Sequence, residues 1–226
     1  MRKIIAVLIL SAMLFTSVKA DSEPLADVYF SCENTAGRIA LTFDDGPHYK
    51  YTAEILDILD EYGIKATFFV VGQLAERYPE LIKRELSEGH EVASHTWSHP
   101  NIVTMPEDNI IKELSETEEC LYRLAGWRPR LFRPPEGKYG DAVRKAAGRF
   151  DYDVVLWTVD TRDWAHTAAK DIAKTVLDNT SSGSIILCHD FIGTNSHTPE
   201  ALRIFIPELI KNGYEFVTVS ELICCD

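Results

Sequence analysis

The sequence predicts an α/β fold in which parallel strands and helices form a distorted (β/α)7-8 barrel with a single domain. Two observations support this: short apolar runs alternate with amphipathic patterns from end to end, and polar residues follow the apolar runs. Such alternation implies parallel strands joined by right-handed crossovers. About seven units in roughly 200 residues favour a closed or nearly closed barrel over an open doubly wound sheet, which is the alternative.

The individual elements follow from the spacing of apolar residues. The predicted strands are residues 39–43, 67–71, 91–94, 131–132, 154–159, 185–188 and 216–219. The predicted helices are residues 52–62, 80–88, 107–124, 141–149, 168–179 and 199–211. Gly63, Gly89 and Gly213 stand where three of these helices should end, because glycine readily adopts the left-handed conformation of a C-terminal cap.

The first twenty residues have the composition of a secretory signal peptide. Arg2 and Lys3 precede an apolar stretch over residues 4–18, and Ala20 is a small residue at a plausible cleavage point. A membrane anchor is the alternative, but the stretch is shorter than the ~20 apolar residues that a spanning helix needs. We therefore expect a leader over residues 1–20, a domain over residues 21–226, no membrane span, and a secreted or cell-wall location.

Charge and cysteine content limit the partners and the compartment. The formal net charge of −12 argues against nucleic acid and anionic lipid, and is compatible with a neutral glycan or ester. Export favours a disulfide, which we expect between Cys32 and either Cys224 or Cys225. Asn179 begins a glycosylation sequon, although an unmodified surface asparagine is an equal alternative. We expect a monomer.

Two motifs together indicate a hydrolytic metal site. The segment Thr42-Phe43-Asp44-Asp45-Gly46-Pro47 places two carboxylates where an apolar run ends in a turn, and His95 and His99 lie four residues apart. One aspartate and two histidines, here Asp45, His95 and His99, leave positions open on a divalent ion, for which zinc is the natural choice. Asp44 is then free to act as general base. A simple turn and a pair of solvated histidines are the alternatives.

Other polar residues follow later strands and would meet at the same end of a parallel barrel. His189 follows the apolar run 185–188 and is a candidate proton donor to the leaving group. Arg133 is a cation in a rigid Pro-rich turn that pairs with either Asp163 or Asp44. Trp164 is either a wall for sugar stacking or part of the core.

Five motifs occur in the order found in polysaccharide deacetylases with a NodB-homology domain, carbohydrate esterase family four. They are TFDDGP, HTWSH, RPPEG, DTRDW and ILCH, and they span roughly residues 37–220. With its terminal cysteines the chain resembles fungal-type chitin deacetylases most. This resemblance implies metal-dependent removal of N-acetyl groups from chitin or another N-acetylglucosamine polymer. It also implies that Arg133 and Asp163 support the catalytic network and that Trp164 and Leu187 shape the acetyl pocket.

One position departs from the family pattern. Glu136 stands where the family usually has an aromatic residue, most often Tyr. Its backbone N–H is expected to contact the substrate oxyanion, but its carboxylate would add negative charge there or ligate the metal. The sequence therefore predicts a deacetylase, and the alternatives are a catalytically impaired member with a glycan-binding or cell-wall role and a deacetylase for a different glycan.

Overall fold

The computed structural model describes residues 24–33, 35–193 and 195–224. The predicted leader over residues 1–20 and the alternative disulfide partner Cys225 lie outside the described residues, so both remain predictions.

A nine-stranded sheet in which every strand pair is parallel forms the centre of the molecule. Its strands are β1 (Val28–Tyr29), β2 (Arg38–Asp44), β3 (Thr67–Val70), β4 (Glu91–Ser94), β5 (Leu131–Phe132), β6 (Asp153–Val155), β7 (Val159–Asp160), β8 (Ile185–His189) and β9 (Glu215–Val217). Their order is β1-β6-β5-β4-β3-β2-β8-β7, and β9 pairs with β2. The sheet curls into a partly open barrel, which confirms the predicted fold class.

The described residues form eight α-helices, most of which connect consecutive strands. They are α1 (Tyr51–Tyr62), α2 (Gly72–Arg77), α3 (Pro79–Ser87), α4 (Glu107–Ala125), α5 (Asp141–Gly148), α6 (Ala169–Asn179), α7 (Thr198–Lys211) and α8 (Val219–Ile223). The six predicted helices are confirmed to within one residue at either end. α1 ends at Gly63, which has φ 64° and donates its N–H to the carbonyls of Leu59 and Asp60.

Strand β2 lies in the interior of the sheet, where it pairs with β3, β8 and β9, and it shows how the core is divided. Residues 39–44 are all buried, as expected for a parallel strand covered on both faces. Ile39, Leu41 and Phe43 belong to the large apolar cluster formed with α1, α6 and α7. The alternate residues Thr42 and Asp44 point to the opposite face, inside the curve of the sheet, where they meet Arg133.

The strand predicted over residues 154–159 is in fact two strands. Residues up to Val155 pair with β5 and β1, whereas Val159 and Asp160 pair with β8 at the opposite edge of the sheet. Between them the chain crosses the seam of the barrel, where the N–H of Leu156 donates to the carbonyl of Tyr29 at 2.7 Å. One continuous apolar run thus serves both sheet edges, and periodicity alone does not reveal where the run breaks.

The fold bears on four further expectations. The last predicted strand is shorter than expected, because a capping box at Thr218 starts helix α8 there. Cys224 is exposed, and no disulfide forms within the described ranges, so pairing of Cys32 with Cys224 is not supported. Asn179 is exposed at the end of α6. None of the described helices has the length and apolar character required to cross a membrane.

Phe43 and Phe68 pack together in the fully buried core, where their ring centroids lie 5.1 Å apart. We expect Phe68→Ala to lower the free energy of unfolding by about 3–5 kcal/mol, because truncation leaves a cavity that the parallel sheet cannot close. Chemical denaturation measures this. The matched control is Tyr122→Ala, an exposed aromatic on α4 that should cost less than about 1 kcal/mol. Equal losses in both variants would contradict this account of the core.

Candidate active site

The predicted functional residues meet at the carboxyl ends of the strands. Asp44 ends β2 and Asp45 follows it, Leu187 and His189 lie at the end of β8, and the remaining residues follow strands β4, β5 and β7. They surround a cavity of about 450 Å³, which is lined by Asp44, Asp45, His95, His99, Glu136, Trp157, Asp160, Trp164, Leu187 and His189. Eight of the ten predicted site residues line this cavity, and the other two, Arg133 and Asp163, are buried behind its wall.

Asp45, His95 and His99 form a cluster that has the geometry of a metal site. One ligand atom from each residue lies within 4.8 Å of the other two. Asp45 Oδ1 is 3.4 Å from His95 Nε2 and 3.3 Å from His99 Nε2. The three side chains come from two different turns, after β2 and after β4, which the parallel sheet brings to one edge.

The donor chemistry of this cluster fits a divalent ion. Asp45 Oδ1 is buried and has no hydrogen-bond partner among the described residues, which is costly unless a cation contacts it. Burial opposes ionisation of Asp45, but the nearby imidazoles of His95, His189 and His99 outweigh it and lower the carboxyl pKa. His95 Nδ1 donates to the carbonyl of Arg133 at 2.7 Å, so its Nε2 lone pair faces the cluster.

Asp44 is held by a fully buried arginine. Arg133 Nη1 lies 2.7 Å from Asp44 Oδ1 and 2.9 Å from the Thr42 hydroxyl, and Arg133 has no exposed surface. Its other guanidinium N–H groups donate to the carbonyls of Val155 and Leu156, each at 3.1 Å. Of the two partners predicted for Arg133, the structure selects Asp44. Asp44 Oδ2 then faces the metal cluster, 3.9 Å from His95 Nε2.

His189 is paired with the second predicted carboxylate. Its Nδ1 lies 2.7 Å from Asp163 Oδ1, and its backbone N–H donates to Asp163 Oδ2 at 2.8 Å. Burial lowers the pKa of His189, but the hydrogen bond and charge of Asp163, together with Asp44 and Asp45, outweigh burial and raise the pKa to about 9. The imidazole is therefore protonated at neutral pH, with Nε2 on the cavity side.

Glu136 lies at the rim of the cavity and is paired with Lys138. Its side chain is 56% exposed, and the Lys138 ammonium lowers its carboxyl pKa. It does not belong to the metal cluster, so the expectation that its carboxylate might ligate the ion has no support in the geometry. Trp164 is half exposed at the same rim, whereas Leu187 is buried in the cavity wall.

Sequence reasoning missed Thr198 at the start of α7, which donates its hydroxyl to Asp163 Oδ2 at 2.7 Å. Trp157 and Asp160, which the sequence places at the end of a strand without a defined role, line the cavity. Asp190, which follows His189, accepts the hydroxyl of Thr52. Its carboxylate occupies the space beside Gly46, where a Cβ would lie only 2.0 Å from Asp190 Oδ2. This contact explains why a glycine follows the acidic pair.

The fold and the site define a class: a parallel β/α barrel with an Asp-His-His set, a paired aspartate and a paired histidine at the carboxyl ends of its strands. The family model for polysaccharide deacetylases matches residues 32–155. A peptidoglycan-N-acetylglucosamine deacetylase from Bacillus cereus is 41% identical over 194 residues, covering 85% of this chain and 70% of that protein. The chain therefore belongs to the polysaccharide deacetylase family.

Solved structures agree with this assignment. A crystal structure of a peptidoglycan N-acetylglucosamine deacetylase matches with a TM-score of 0.83 and 39% identity, covering 89% of this chain and 94% of that one. A CE4 family pseudoenzyme from Bacillus anthracis matches with a TM-score of 0.81 and 30% identity, covering 86% and 68%. These bacterial relatives give no support to the more specific likeness to fungal-type chitin deacetylases.

The geometry of the cluster leads to a prediction about metal retention. We expect the purified protein to bind one divalent ion per chain. Loss of an outer-sphere partner typically weakens metal binding ~10–100-fold. His99→Ala should weaken metal binding by more than this, because it removes a direct ligand. Elemental analysis and titration calorimetry measure this. His166→Ala, which removes an exposed histidine outside the cavity, is the control. Equal binding by the two variants would refute the site.

Proposed function

We propose that this protein is a metal-dependent deacetylase that hydrolyses the N-acetyl groups of N-acetylglucosamine residues in a cell-wall glycan. The observation that carries this proposal is the placement of a buried, Arg133-bound Asp44 and a protonated His189 around one Asp-His-His cluster. Deacetylation of an amide needs these parts: a base for water, an acid for the leaving amine, and a centre that polarises the carbonyl.

Asp44 accepts the proton from the attacking water. Its Oδ1 is bound by Arg133 and Oδ2 faces the metal cluster, so one carboxylate oxygen stays available to a water in the cavity. The water oxygen forms a new bond to the acetyl carbon. Because the guanidinium fixes the carboxylate on the side away from the water, no rearrangement is needed before proton transfer.

His189 protonates the amine that leaves. Asp163 binds its Nδ1, which directs the Nε2 proton toward the cavity. When the carbon–nitrogen bond breaks, the nitrogen takes this proton, and the products are a sugar amine and acetate. A neutral histidine would leave an amide anion as the departing group, which is far less stable in water. The raised pKa of His189 therefore suits the reaction.

The oxyanion that develops on the acetyl oxygen is stabilised from two sides. Asp45, His95 and His99 would hold the divalent ion, which supplies Lewis-acid polarisation of the carbonyl and favours ionisation of water. The backbone of Glu136 adopts φ 56° at the cavity rim, where its N–H is available as a hydrogen-bond donor. Leu187 and Trp157 give the acetyl methyl group an apolar wall.

The substrate we favour is the glycan strand of peptidoglycan. Relatives that cover most of this chain are described as peptidoglycan-N-acetylglucosamine deacetylases. Chitin carries the same acetamido sugar, so chitin oligosaccharides remain a substrate of the same chemistry. Action on a cell-wall polymer also requires export, which is consistent with the proposed leader over residues 1–20. Zinc is the ion we propose for the site.

A catalytically impaired protein is the second candidate. Glu136 replaces the aromatic residue expected at the rim, and the chain is also similar to a CE4 family pseudoenzyme. Pairing with Lys138 supports the first candidate instead, since it offsets the added charge and keeps the carboxylate at the exposed rim.

Acetate release tests the proposed function. We expect the protein to release acetate from peptidoglycan and from chitin oligosaccharides, to lose this activity with a chelator and to regain it with zinc. Asp44→Asn should lower kcat by at least about 10²-fold, because general base catalysis is lost. Thermal unfolding must accompany this assay, since Asp44 also pairs with Arg133. Asp57→Asn, an exposed position on α1, is the control. A fully active Asp44→Asn would end the mechanism.

The pH profile tests the role of His189. Activity requires protonated His189 and is lost as pH rises through its pKa, which Asp163 raises. Asp163→Asn keeps a hydrogen-bond acceptor but removes the charge, so the pKa falls and the alkaline decline in kcat/KM moves to lower pH. Asp178→Asn removes an exposed charge on α6 and should leave the profile in place. An alkaline decline at the same pH in Asp163→Asn would exclude His189 as the acid.

A further inference from the structure

The turn over residues 95–99, which we call the ligand turn, carries both histidines of the metal cluster and has a strained backbone. Thr96 has φ 70° and His99 has φ 55°, a conformation that residues other than glycine keep only where their surroundings impose it. At one end of the turn the N–H of Gly72, which begins α2, donates to the carbonyl of Thr96 at 2.9 Å. The shape of the ligand turn is therefore maintained by contacts with neighbouring elements.

Glu113 on α4 binds the middle of the ligand turn with both of its carboxylate oxygens. Oε2 accepts the backbone N–H of Ser98 at 2.8 Å, and Oε1 accepts the Ser98 hydroxyl at 2.9 Å. Hydrogen bonds to a carboxylate are stronger than those between neutral groups, and two bonds to one residue also fix its orientation. Because Ser98 directly precedes His99, these bonds hold the chain immediately before a proposed metal ligand.

The helix that carries Glu113 is a firm support for this contact. Ile110 and Leu114, between which Glu113 lies in the chain, are both fully buried and anchor α4 in the core. The Thr117 hydroxyl donates to the Glu113 carbonyl at 2.9 Å, one turn further along the helix. Ser98 itself is exposed, so burial does not hold this part of the ligand turn.

The two histidines depend on the ligand turn to different degrees. The His95 side chain is 2% exposed, and its Nδ1 donates to the carbonyl of Arg133 at 2.7 Å. The His99 side chain is 35% exposed, and its backbone N–H donates to the Thr96 hydroxyl at 3.0 Å. The position of the His99 imidazole is therefore set mainly by the backbone of the turn.

We propose that Glu113 is a positioning residue for the metal site: by binding Ser98, it keeps the His99 imidazole where it can share a divalent ion with Asp45. The inference rests on the proposed metal-dependent function. Glu113 belongs neither to the Asp-His-His cluster nor to the lining of the catalytic cavity, so it acts through the ligand turn and not as a ligand. Residues that orient metal ligands typically contribute about 10–100-fold to metal affinity.

Titration of the metal-free protein with zinc tests this role. We expect Glu113→Ala to weaken zinc binding about 10–100-fold. Glu113→Gln, which keeps one acceptor oxygen, and Ser98→Ala, which keeps the backbone N–H, should each weaken it less. The double variant of Glu113→Ala and Ser98→Ala should bind zinc as weakly as Glu113→Ala alone, because both changes remove the same contact. The melting temperature of the metal-free variants should stay close to that of the unmodified protein, since the contact lies at the surface.

Asp108→Ala is the matched control, because it removes an exposed carboxylate from the same helix and should leave zinc affinity unchanged. Equal zinc affinity for Glu113→Ala and the unmodified protein would overturn the inference. An equal loss in Asp108→Ala would also overturn it and assign the effect to net charge. A large fall in the melting temperature of metal-free Glu113→Ala would assign Glu113 to the stability of the whole fold instead. Zinc binding without acetate release by the unmodified protein would refute the proposed function alone, since these titrations do not need turnover.

Discussion

The buried ion pair between Arg133 and Asp44 is the contact on which the rest of the site depends. A desolvated guanidinium costs several kcal/mol unless it is fully paired, and here its partners come from β2 and from the chain that crosses the barrel seam at Val155 and Leu156. The carbonyl of the same arginine accepts the Nδ1–H of His95. One residue therefore closes the barrel, fixes the proposed base and orients a metal ligand, so stability and chemistry are coupled at this point.

The backbone around the site is strained in a consistent way. Asp45, Thr96, His99 and Glu136 all have positive φ, between 55° and 72°, although none is glycine. Each such residue costs of order 1 kcal/mol or more and persists only where its surroundings impose it. Here the reason is geometric: each strand must turn sharply at its carboxyl end so that neighbouring side chains converge on one point. The strain therefore results from positioning the proposed metal ligands. The buried sheet beneath them holds these residues in place.

The sequence predicted the fold and the convergence of the site because both follow from local signals: apolar runs, helical spacing and the polar residues after each strand. It did not predict the break in the run over residues 154–159, because both halves are apolar and only the curl of the sheet separates them. It left the partner of Arg133 open, since Asp44 and Asp163 both lie at the ends of predicted strands. The contacts of Thr198 with Asp163 and of Asp190 with Gly46 join residues far apart in the chain. The spacing of residues in the sequence therefore does not predict these contacts.

Glu136 changes the chemistry of the cavity rim. An aromatic side chain at the rim would offer a face for sugar stacking, and a carboxylate offers none. The Lys138 ammonium offsets the charge of the Glu136 carboxylate, so the rim of the cavity gains no net negative charge there. The stacking surface at that point is nevertheless lost. Trp157 and Trp164 remain as partly exposed aromatics among the residues that line the cavity. The departure at position 136 therefore replaces an apolar contact surface with an exposed ion pair and leaves the buried pair of Asp44 and Arg133 unchanged.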